Sequence, residues 1–167
     1  MKIGMPESNN ADNALVRKWQ QITVISPYSR ELGLRLHSVA PDWCVIKVPY
    51  DPRTIGNPET GVVHGGVITA LLDSCYGLAI FVRMSSLRPM ATLDLRIDYL
   101  KPATPGRDIL GGAVCHKLGH ELAFVRGVAY HDSPDDPIAT SAAIFMFTGG
   151  PAISLDAAVE AMEAMKP

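Results

Sequence analysis

The sequence predicts a single α+β domain in which antiparallel strands wrap around one long apolar helix. The first observation is the segment Gly65–Val82, which is apolar almost all round and is therefore typical of a buried helix. The second is the series of four strand-like segments that follows it, the first of which alternates cleanly between apolar and polar residues. A chain of 167 residues with 47% hydrophobic composition suits one domain with a sizeable core.

The residues before the long helix predict two short helices and two strands. Leu15, Trp19 and Ile22 recur at helical spacing, and the hydrophobic period then changes to two. In order, we predict a helix over Glu7–Gln21 capped near Ser8 or Asn10, a short helix between its Ser26 cap and Gly33, strands over Leu34–Val39 and Trp43–Tyr50 joined by a turn at Pro41–Asp42, and a loop over Asp51–Gly61.

After the long helix, the pattern predicts four strands and one short helix. These are strands over Met90–Leu100, Arg107–Lys117, Glu121–His131 and Ile138–Phe147, and a helix over Ser154–Met165 with Ser154 as its cap. In the first strand we expect Leu93, Leu95, Ile97 and Tyr99 on one face and Thr92, Asp94, Arg96 and Asp98 on the other. We divide the chain into an N-terminal helical extension (residues 1–26), a core domain (27–150) and a C-terminal helical tail (151–167).

Composition and charge exclude several classes of protein. The net charge of −2 and the absence of a basic run argue against binding to nucleic acid or to an anionic membrane surface. The N-terminus lacks the apolar stretch of a secretory signal, and no stretch of about 18 apolar residues is free of charge, so we expect a cytoplasmic protein without a membrane span. The three cysteines have no metal-binding spacing and are expected to be free thiols in the core.

Candidate chemistry concentrates at the start of the long helix. Gly65 and Gly66 would let a ligand approach the unpaired N–H groups of the first helical turn, where an oxyanion would be stabilised, or they would simply fit a tight turn. Asp73 is the one acid in the segment Gly65–Val82. It would act as a general base or nucleophile, or it would be a solvated carboxylate at the rim of the helix. His64 would polarise a carbonyl group or hold the glycine turn.

The spacing of these groups constrains any shared site. Asp73 follows Gly65 by eight residues, which corresponds to about 12 Å along a helix axis. A single carbonyl group cannot lie within about 3 Å of both groups on one helix. If both act on one carbonyl, they must come from two copies of the chain. A dimer is also expected because one helix cannot cover both faces of the predicted sheet.

The segment NPETGVVHGGVITALLD resembles the signature of hotdog-fold acyl-CoA thioesterases of the phenylacetate-pathway (PaaI-like) type. The later segment TLDLRIDYLKPATPG resembles the following strand and turn of that family, and the similarity extends over roughly Tyr28–Phe147. The resemblance implies a hotdog fold and hydrolysis of an acyl-CoA to a free acid and coenzyme A. It also implies that no metal or other cofactor is needed, and that dimers with shared active sites assemble into a tetramer.

The same resemblance implies roles for individual residues. Asp73 matches the catalytic acid, Gly65 the backbone donor to the thioester carbonyl, His64 and Asn57 the residues that shape the site, Thr92 a position near the attacking water, and Gly66, Gly77 and His120 positions that contact substrate. Some relatives have a hydroxyl residue where this chain has Gly77. His120 takes the place of a basic residue near the nucleotide.

Two other functions are open to a protein of this fold. A hydratase or dehydratase on the same fold would need a His and an acid placed to move a carbon-bound proton, and a non-catalytic acyl-CoA-binding module would not need Asp73. His116 and His120 have the spacing of a helical metal pair but flank a predicted hairpin turn, so we expect no metal site. Five basic residues are candidates for contacts with the coenzyme A phosphates: Arg83, Arg88, Arg107, Lys117 and Arg126.

Overall fold

The computed structural model describes residues 14–41 and 43–164. Its helices are α1 (Ala14–Thr23), α2 (Pro27–Glu31), α3 (Gly65–Met84) and α4 (Leu155–Ala164). Its strands are β1 (Arg35–Ala40), β2 (Trp43–Val48), β3 (Ile55–Asn57), β4 (Val62–Val63), β5 (Ser86–Leu87), β6 (Met90–Tyr99), β7 (Ile109–Leu118), β8 (Leu122–Tyr130), β9 (Ala139–Phe147) and β10 (Ile153–Ser154).

Six strands form one antiparallel sheet in the order β1-β2-β7-β8-β9-β6. Helix α3 packs on this sheet and contacts β7, β2 and β8. The α+β class and the hotdog arrangement predicted from the sequence are therefore confirmed. Strand β6 ends the sheet on one side, and its pairing with β9 leaves its other edge without a described neighbour.

The core forms where α3 meets the sheet, and glycines in the strands permit the close approach. A Cβ atom added to Gly111 on β7 would lie 2.8 Å from Leu71 Cγ, and one added to Gly127 on β8 would lie 2.9 Å from Tyr76 Cε1. All three cysteines are buried and free, as expected. Burial raises the pKa of the Cys44 thiol well above its ordinary value, so this cysteine behaves as an apolar core residue.

Local signals define both ends of α3. His64 caps the N-terminus, and Ser85 ends the helix in the left-handed conformation with φ of 54°. The helix runs two residues beyond the predicted end at Val82. By length and composition α3 could cross a membrane, with a mean hydropathy of 1.7, but half of that stretch is buried inside the protein. Its apolar surface is explained by its position in the core.

The segment before α3 is more ordered than the predicted loop over residues 51–61. It contains a 3₁₀ turn at Pro52–Thr54, and β3 pairs with β4 across a tight connection. Strands β5 and β10 also form a small ladder that was not predicted. Strands of two or three residues are too short to show a hydrophobic period, and therefore the sequence pattern does not predict them.

Helices α1 and α4 pack on each other and close one end of the core. Trp19 and Ile22 on α1, with Leu155 and Val159 on α4, belong to the same hydrophobic cluster as α3. Helix α1 ends at Thr23, close to the predicted end, whereas the predicted start and cap at Ser8 or Asn10 lie outside the described residues. Asp42 of the predicted turn and Met165 at the predicted end of the last helix also lie outside them.

The predicted caps of the short helices are confirmed. The Ser26 hydroxyl accepts a hydrogen bond from the Ser29 N–H at 3.0 Å at the start of α2. The Ser154 hydroxyl accepts one from the Ala157 N–H at 3.1 Å at the start of α4.

A β-bulge in β6 corrects the predicted faces of that strand. Thr92 lies opposite Phe145 on β9, but the next aligned pair is Asp94 with Ile144, so Leu93 is the extra residue. The bulge turns Thr92 toward α3, although simple alternation placed it on the opposite face from Leu95 and Tyr99. It also leaves Leu93 55% exposed and off the face that the alternation had assigned to it together with Leu95, Ile97 and Tyr99.

Candidate active site

Asp73 lies half-buried in the middle of α3 at the wall of a cavity of about 500 Å³. Its Oδ1 atom accepts a hydrogen bond of 2.8 Å from the Thr92 hydroxyl. This contact joins the helix to β6 and fixes one carboxylate oxygen. Among the described residues, the hydrogen bond of Asp73 involves Oδ1 and not Oδ2. The structure therefore brings together two of the residues implied by the resemblance.

The rest of the cavity is mainly apolar. Gly77, one helical turn after Asp73, is part of its wall. The other lining residues that matter here are Ile22, Ile25, Leu78, Phe81, Met90 and Phe145. A carboxylate beside an apolar cavity of this size is typical of a small-molecule site.

The first turn of α3 forms a separate group around Gly65. The His64 Nδ1 atom accepts a hydrogen bond of 2.9 Å from the Gly66 N–H, and the His64 carbonyl accepts one of 3.0 Å from the Val67 N–H. Neither group of His64 takes up the Gly65 N–H, which is the donor implied by the resemblance. A Cβ atom at position 66 would lie 2.9 Å from His64 Nδ1, so Gly66 is required by this cap. His64 therefore holds the glycine turn in this structure, and its role toward a carbonyl group stays a prediction.

Tyr99 also belongs to the Gly65 group, although the sequence did not identify it as a site residue. Its hydroxyl donates a hydrogen bond of 2.9 Å to the Gly65 carbonyl and lies 3.0 Å from the Thr69 hydroxyl. A Cβ atom at position 65 would lie 3.2 Å from the same hydroxyl oxygen. The alternation of β6 already placed Tyr99 on the helix side, and an inward tyrosine hydroxyl needs a polar partner. That signal could have found it.

Asn57 lies at the end of β3 and organises the hairpin that leads to His64. Its side-chain oxygen accepts a hydrogen bond of 3.0 Å from the Glu59 N–H, and its carbonyl accepts one of 2.9 Å from the Gly61 N–H. The His64 N–H donates to the Thr54 carbonyl at 2.9 Å. Asn57 therefore shapes the loop before α3, and the structure shows no contact between its side chain and Asp73.

His120 lies in the exposed hairpin between β7 and β8. Its carbonyl accepts a hydrogen bond of 3.2 Å from Arg88, and the Arg88 guanidinium lies 4.6 Å from the centre of the Phe147 ring. Arg88 also lines the cavity that contains Asp73. Arg88 therefore places positive charge at the cavity, and His120 contacts Arg88 through its backbone carbonyl. Among the other basic candidates, Arg107 is ion-paired with Asp132 and Lys117 lies over the Phe124 ring.

The two groups lie at different places on one continuous helix. Asp73 and Gly65 are eight residues apart on α3, about 12 Å along the axis. A second cavity of about 290 Å³ adjoins Gly65 and Tyr99 and does not include Asp73. One protomer therefore does not present both groups to a single carbonyl.

No three His, Cys, Asp or Glu side chains within residues 14–41 and 43–164 are grouped closely enough to hold a metal ion. His116 and His120 lie on β7 and in the following hairpin. Burial and the nearby Arg126 lower the pKa of His116 below its ordinary value. The expectation that no metal is needed stays a prediction.

Comparisons with known proteins agree with this fold. The model of the thioesterase superfamily matches residues 60–138, which include Gly65, Asp73 and Thr92. The medium/long-chain acyl-CoA thioesterase YigI of Escherichia coli K12 is 28% identical over 149 residues, or 81% of this chain and 95% of that protein.

Solved structures of other proteins share this fold. A protein of Pseudomonas aeruginosa is 37% identical, with a TM-score of 0.72 over 79% of this chain and 98% of the other. A thioesterase family protein from Silicibacter pomeroyi is 25% identical, with a TM-score of 0.68 over 80% and 98%. With its six-stranded antiparallel sheet around α3, this chain belongs to the thioesterase superfamily and is a thioester hydrolase.

Proposed function

We propose that the protein hydrolyses an acyl-CoA to a free carboxylic acid and coenzyme A, with Asp73 as the catalytic carboxylate. The observation that carries the proposal is the half-buried Asp73 at an apolar cavity, oriented by the Thr92 hydroxyl. The family assignment supports thioester hydrolysis, and the name of the YigI relative supports an acyl-CoA substrate. We also propose that the protein belongs to the PaaI-like subfamily.

The reaction follows from the position of the free carboxylate oxygen. Asp73 Oδ2 takes a proton from a water molecule, which attacks the thioester carbonyl and forms a tetrahedral oxyanion. The C–S bond then breaks, and the leaving thiolate takes the proton back from Asp73. Alternatively, the Asp73 carboxylate attacks the carbonyl directly, and the C–S bond breaks to release the coenzyme A thiolate and leave a mixed anhydride. Water then hydrolyses the anhydride to the free acid and the Asp73 carboxylate, and the proton released in this step goes to the thiolate. Neither route uses a metal or a redox cofactor.

The oxyanion needs a hydrogen-bond donor, and this donor cannot come from the helix that carries the reacting Asp73. The Gly65 N–H at the positive end of α3 is suited to this role. Because Asp73 and Gly65 are about 12 Å apart on α3, we propose that each site combines Asp73 of one protomer with Gly65 of its partner. The active site then exists only in a dimer.

The edge strand β6 supplies a geometry for that dimer. Thr92 near one end of β6 touches Asp73, and Tyr99 at the other end touches Gly65. Antiparallel pairing of β6 with β6 of a second copy, about a two-fold axis near Arg96, would place the Thr92 end of one strand beside the Tyr99 end of the other. The Asp73 group of each protomer would then lie beside the Gly65 group of the other, so the dimer would contain two complete sites. Leu93, Tyr99 and Leu100 are at least half exposed on this edge, as expected for residues that a partner covers.

The position of Arg88 at the cavity, next to the hairpin that carries His120, supports a place there for the nucleotide part of coenzyme A. The guanidinium of Arg88 is suited to a phosphate group, and the His120 ring is exposed in the hairpin. A dimer that assembles further into a tetramer, and a cytoplasmic location, are parts of the same proposal.

A panel of acyl-CoA esters, assayed with a reagent for the released thiol, tests the function. Asp73→Asn should keep the fold, judged by circular dichroism, and should lose about 100-fold or more in kcat, the usual scale for a positioned base. Asp135→Asn in the exposed turn before β9 serves as the matched control and should behave as wild type. Dialysis against a chelator should leave the rate unchanged.

Each other outcome has a definite meaning. Near wild-type turnover by Asp73→Asn would overturn the catalytic role of this carboxylate. Tight binding of acyl-CoA without turnover by the wild-type protein would indicate a binding module. Addition of water to an enoyl-CoA without thiol release would indicate a hydratase.

A further inference from the structure

The cavity beside Asp73 extends along one face of α3. Asp73, Gly77 and Phe81 are spaced by four residues, so their side chains lie above one another on the helix. All three line the cavity. The path from Asp73 to Phe81 is about 12 Å long at a rise of about 1.5 Å per residue. The cavity therefore leads away from the reacting carboxylate along the helix.

Gly77 keeps this path open. A Cβ atom at position 77 would have Met90 Cε at 3.5 Å, which is an ordinary contact, so no crowding forces a glycine there. Glycine in a helix interior costs stability relative to alanine. Packing does not require a glycine at position 77. We therefore attribute Gly77 to the space that it leaves in the cavity between Asp73 and Phe81.

The opposite wall is made by the connection between α1 and α2. Ile22, Ile25 and Ser29 line the cavity from this side. The connection is held in place because the Arg30 guanidinium donates hydrogen bonds of 3.0 and 2.9 Å to the carbonyls of Val24 and Ile25. It lies outside the residues 60–138 that match the family model. This wall therefore belongs to a part of the chain to which the family match assigns nothing.

The polar groups of this wall are already engaged. The Ser26 hydroxyl donates to the Ser29 hydroxyl at 2.9 Å, and the Thr23 hydroxyl donates to the Trp19 carbonyl at 2.9 Å. The wall thus presents mainly apolar surface to a ligand. A chain of CH₂ groups matches this surface better than a group that needs hydrogen bonds.

We propose that the α1–α2 connection and Gly77 together set the length of the acyl chain, and that the site selects straight chains of about ten carbons. This inference rests on the proposed acyl-CoA hydrolysis. An extended alkyl chain built from bonds of about 1.5 Å advances about 1.25 Å per carbon, so a path of about 12 Å takes about ten carbons. Residues outside the matched family region thus contribute to the choice of substrate.

The experiment measures kcat/KM for straight-chain acyl-CoA esters from two to sixteen carbons and for phenylacetyl-CoA. For the wild type, kcat/KM should rise by up to about fourfold per added carbon, the contribution of one buried methylene, and level off near ten carbons. Gly77→Leu should lower the ratio of kcat/KM for the ten-carbon ester to that for the four-carbon ester by about 100-fold. A ratio within one protein is independent of the fraction that is folded.

A second variant tests the wall without touching α3. Ile25 is 51% exposed, so Ile25→Trp should fold and should lower the same ratio by about tenfold. Glu160→Trp on the exposed side of α4 is the matched control and should leave the ratio unchanged.

The possible failures are distinct. Unchanged ratios in both Gly77→Leu and Ile25→Trp, or a wild type that prefers phenylacetyl-CoA or chains of four carbons and fewer, would overturn the chain path while leaving the hydrolase assignment intact. Failure of the wild type to release thiol from every ester would instead count against the proposed function.

Discussion

At the level of single residues, two hydroxyl groups on β6 hold two groups on α3. The Thr92 hydroxyl donates to Asp73 and the Tyr99 hydroxyl donates to the Gly65 carbonyl. Each contact fixes one member of the proposed catalytic pair against the sheet. A carboxylate and a helix end that are held in this way do not need to reorganise when the substrate binds.

Thr92→Val should lower kcat about tenfold without loss of the fold. Valine keeps the shape of threonine but removes the hydrogen bond to a charged group, which is worth about 1.5–3 kcal/mol, and only part of that energy serves to orient Asp73. Steady-state kinetics would measure the change. Thr92→Ser should restore most of the rate because it returns the hydroxyl.

The matched control for this prediction is Thr140→Val, a half-buried threonine on β9 outside the cavity. Equal kinetics for wild type and Thr92→Val, or no recovery with Thr92→Ser, would contradict a positioning role for the hydroxyl.

At the level of elements, α3 combines the core of the fold with both halves of the proposed site. One side of the helix packs on β2, β7 and β8, and the other presents Gly65, Asp73 and Gly77 to cavities. The bulge in β6 is the matching feature of the sheet, because it turns Thr92 toward Asp73. The proposed function therefore depends on the register of β6 against α3.

Gly77→Ala should raise the free energy of unfolding by about 0.5–1 kcal/mol, because alanine is the better helix former and the added methyl group makes only an ordinary contact with Met90. Urea unfolding followed by circular dichroism would measure it. The same variant should lose activity on long chains, so stability and substrate range would change in opposite directions.

The contrasting variant is Gly111→Ala on β7, where the new Cβ atom would lie 2.8 Å from Leu71 Cγ in the core. This change should destabilise the protein. If Gly77→Ala also lowered the free energy of unfolding, position 77 would be limited by packing, and Gly77 would not be explained by the space that it leaves in the cavity.

At the level of the whole molecule, the free edge of β6 and the separation of Gly65 from Asp73 both favour a dimer. The protomer alone leaves two partial sites and exposed apolar side chains on the same edge strand. Helices α1 and α4 pack in the same hydrophobic cluster as α3, whereas the outer edge of β6 has no neighbouring strand among the described residues and is available to a second copy.

Mixing two inactive variants should restore activity if the site is shared. Asp73→Asn removes the carboxylate, and Gly65→Val places a side chain against the Tyr99 hydroxyl and blocks the helix end. After random exchange about half of the dimers are mixed, and each has one intact site, so activity should recover to roughly a quarter of wild type. Thiol release would be measured after exchange is confirmed by mass spectrometry. No recovery among exchanged, folded dimers would contradict the shared site.

Much of the fold could be predicted from the sequence because its signals are local. The unbroken apolar run located α3, the change of period located the strands, and serines at Ser26 and Ser154 marked the starts of two helices. Asp73 was identifiable for the same reason, as one acid in an apolar helix. The two-residue strands β5 and β10 were missed since they exist only through each other.

What the sequence by itself determined is the set of elements, the α+β class and the 12 Å separation, about eight residues at about 1.5 Å each, that forces Gly65 and Asp73 into different sites of one helix. Only the tertiary structure decided which side chains meet across those elements. Thr92 reaches Asp73 because of a bulge whose position depends on pairing with β9, and Ile25 lines the cavity because α1 packs on the end of α3. Such contacts join residues far apart in the chain, and their geometry is fixed by packing rather than by the pattern of any one segment.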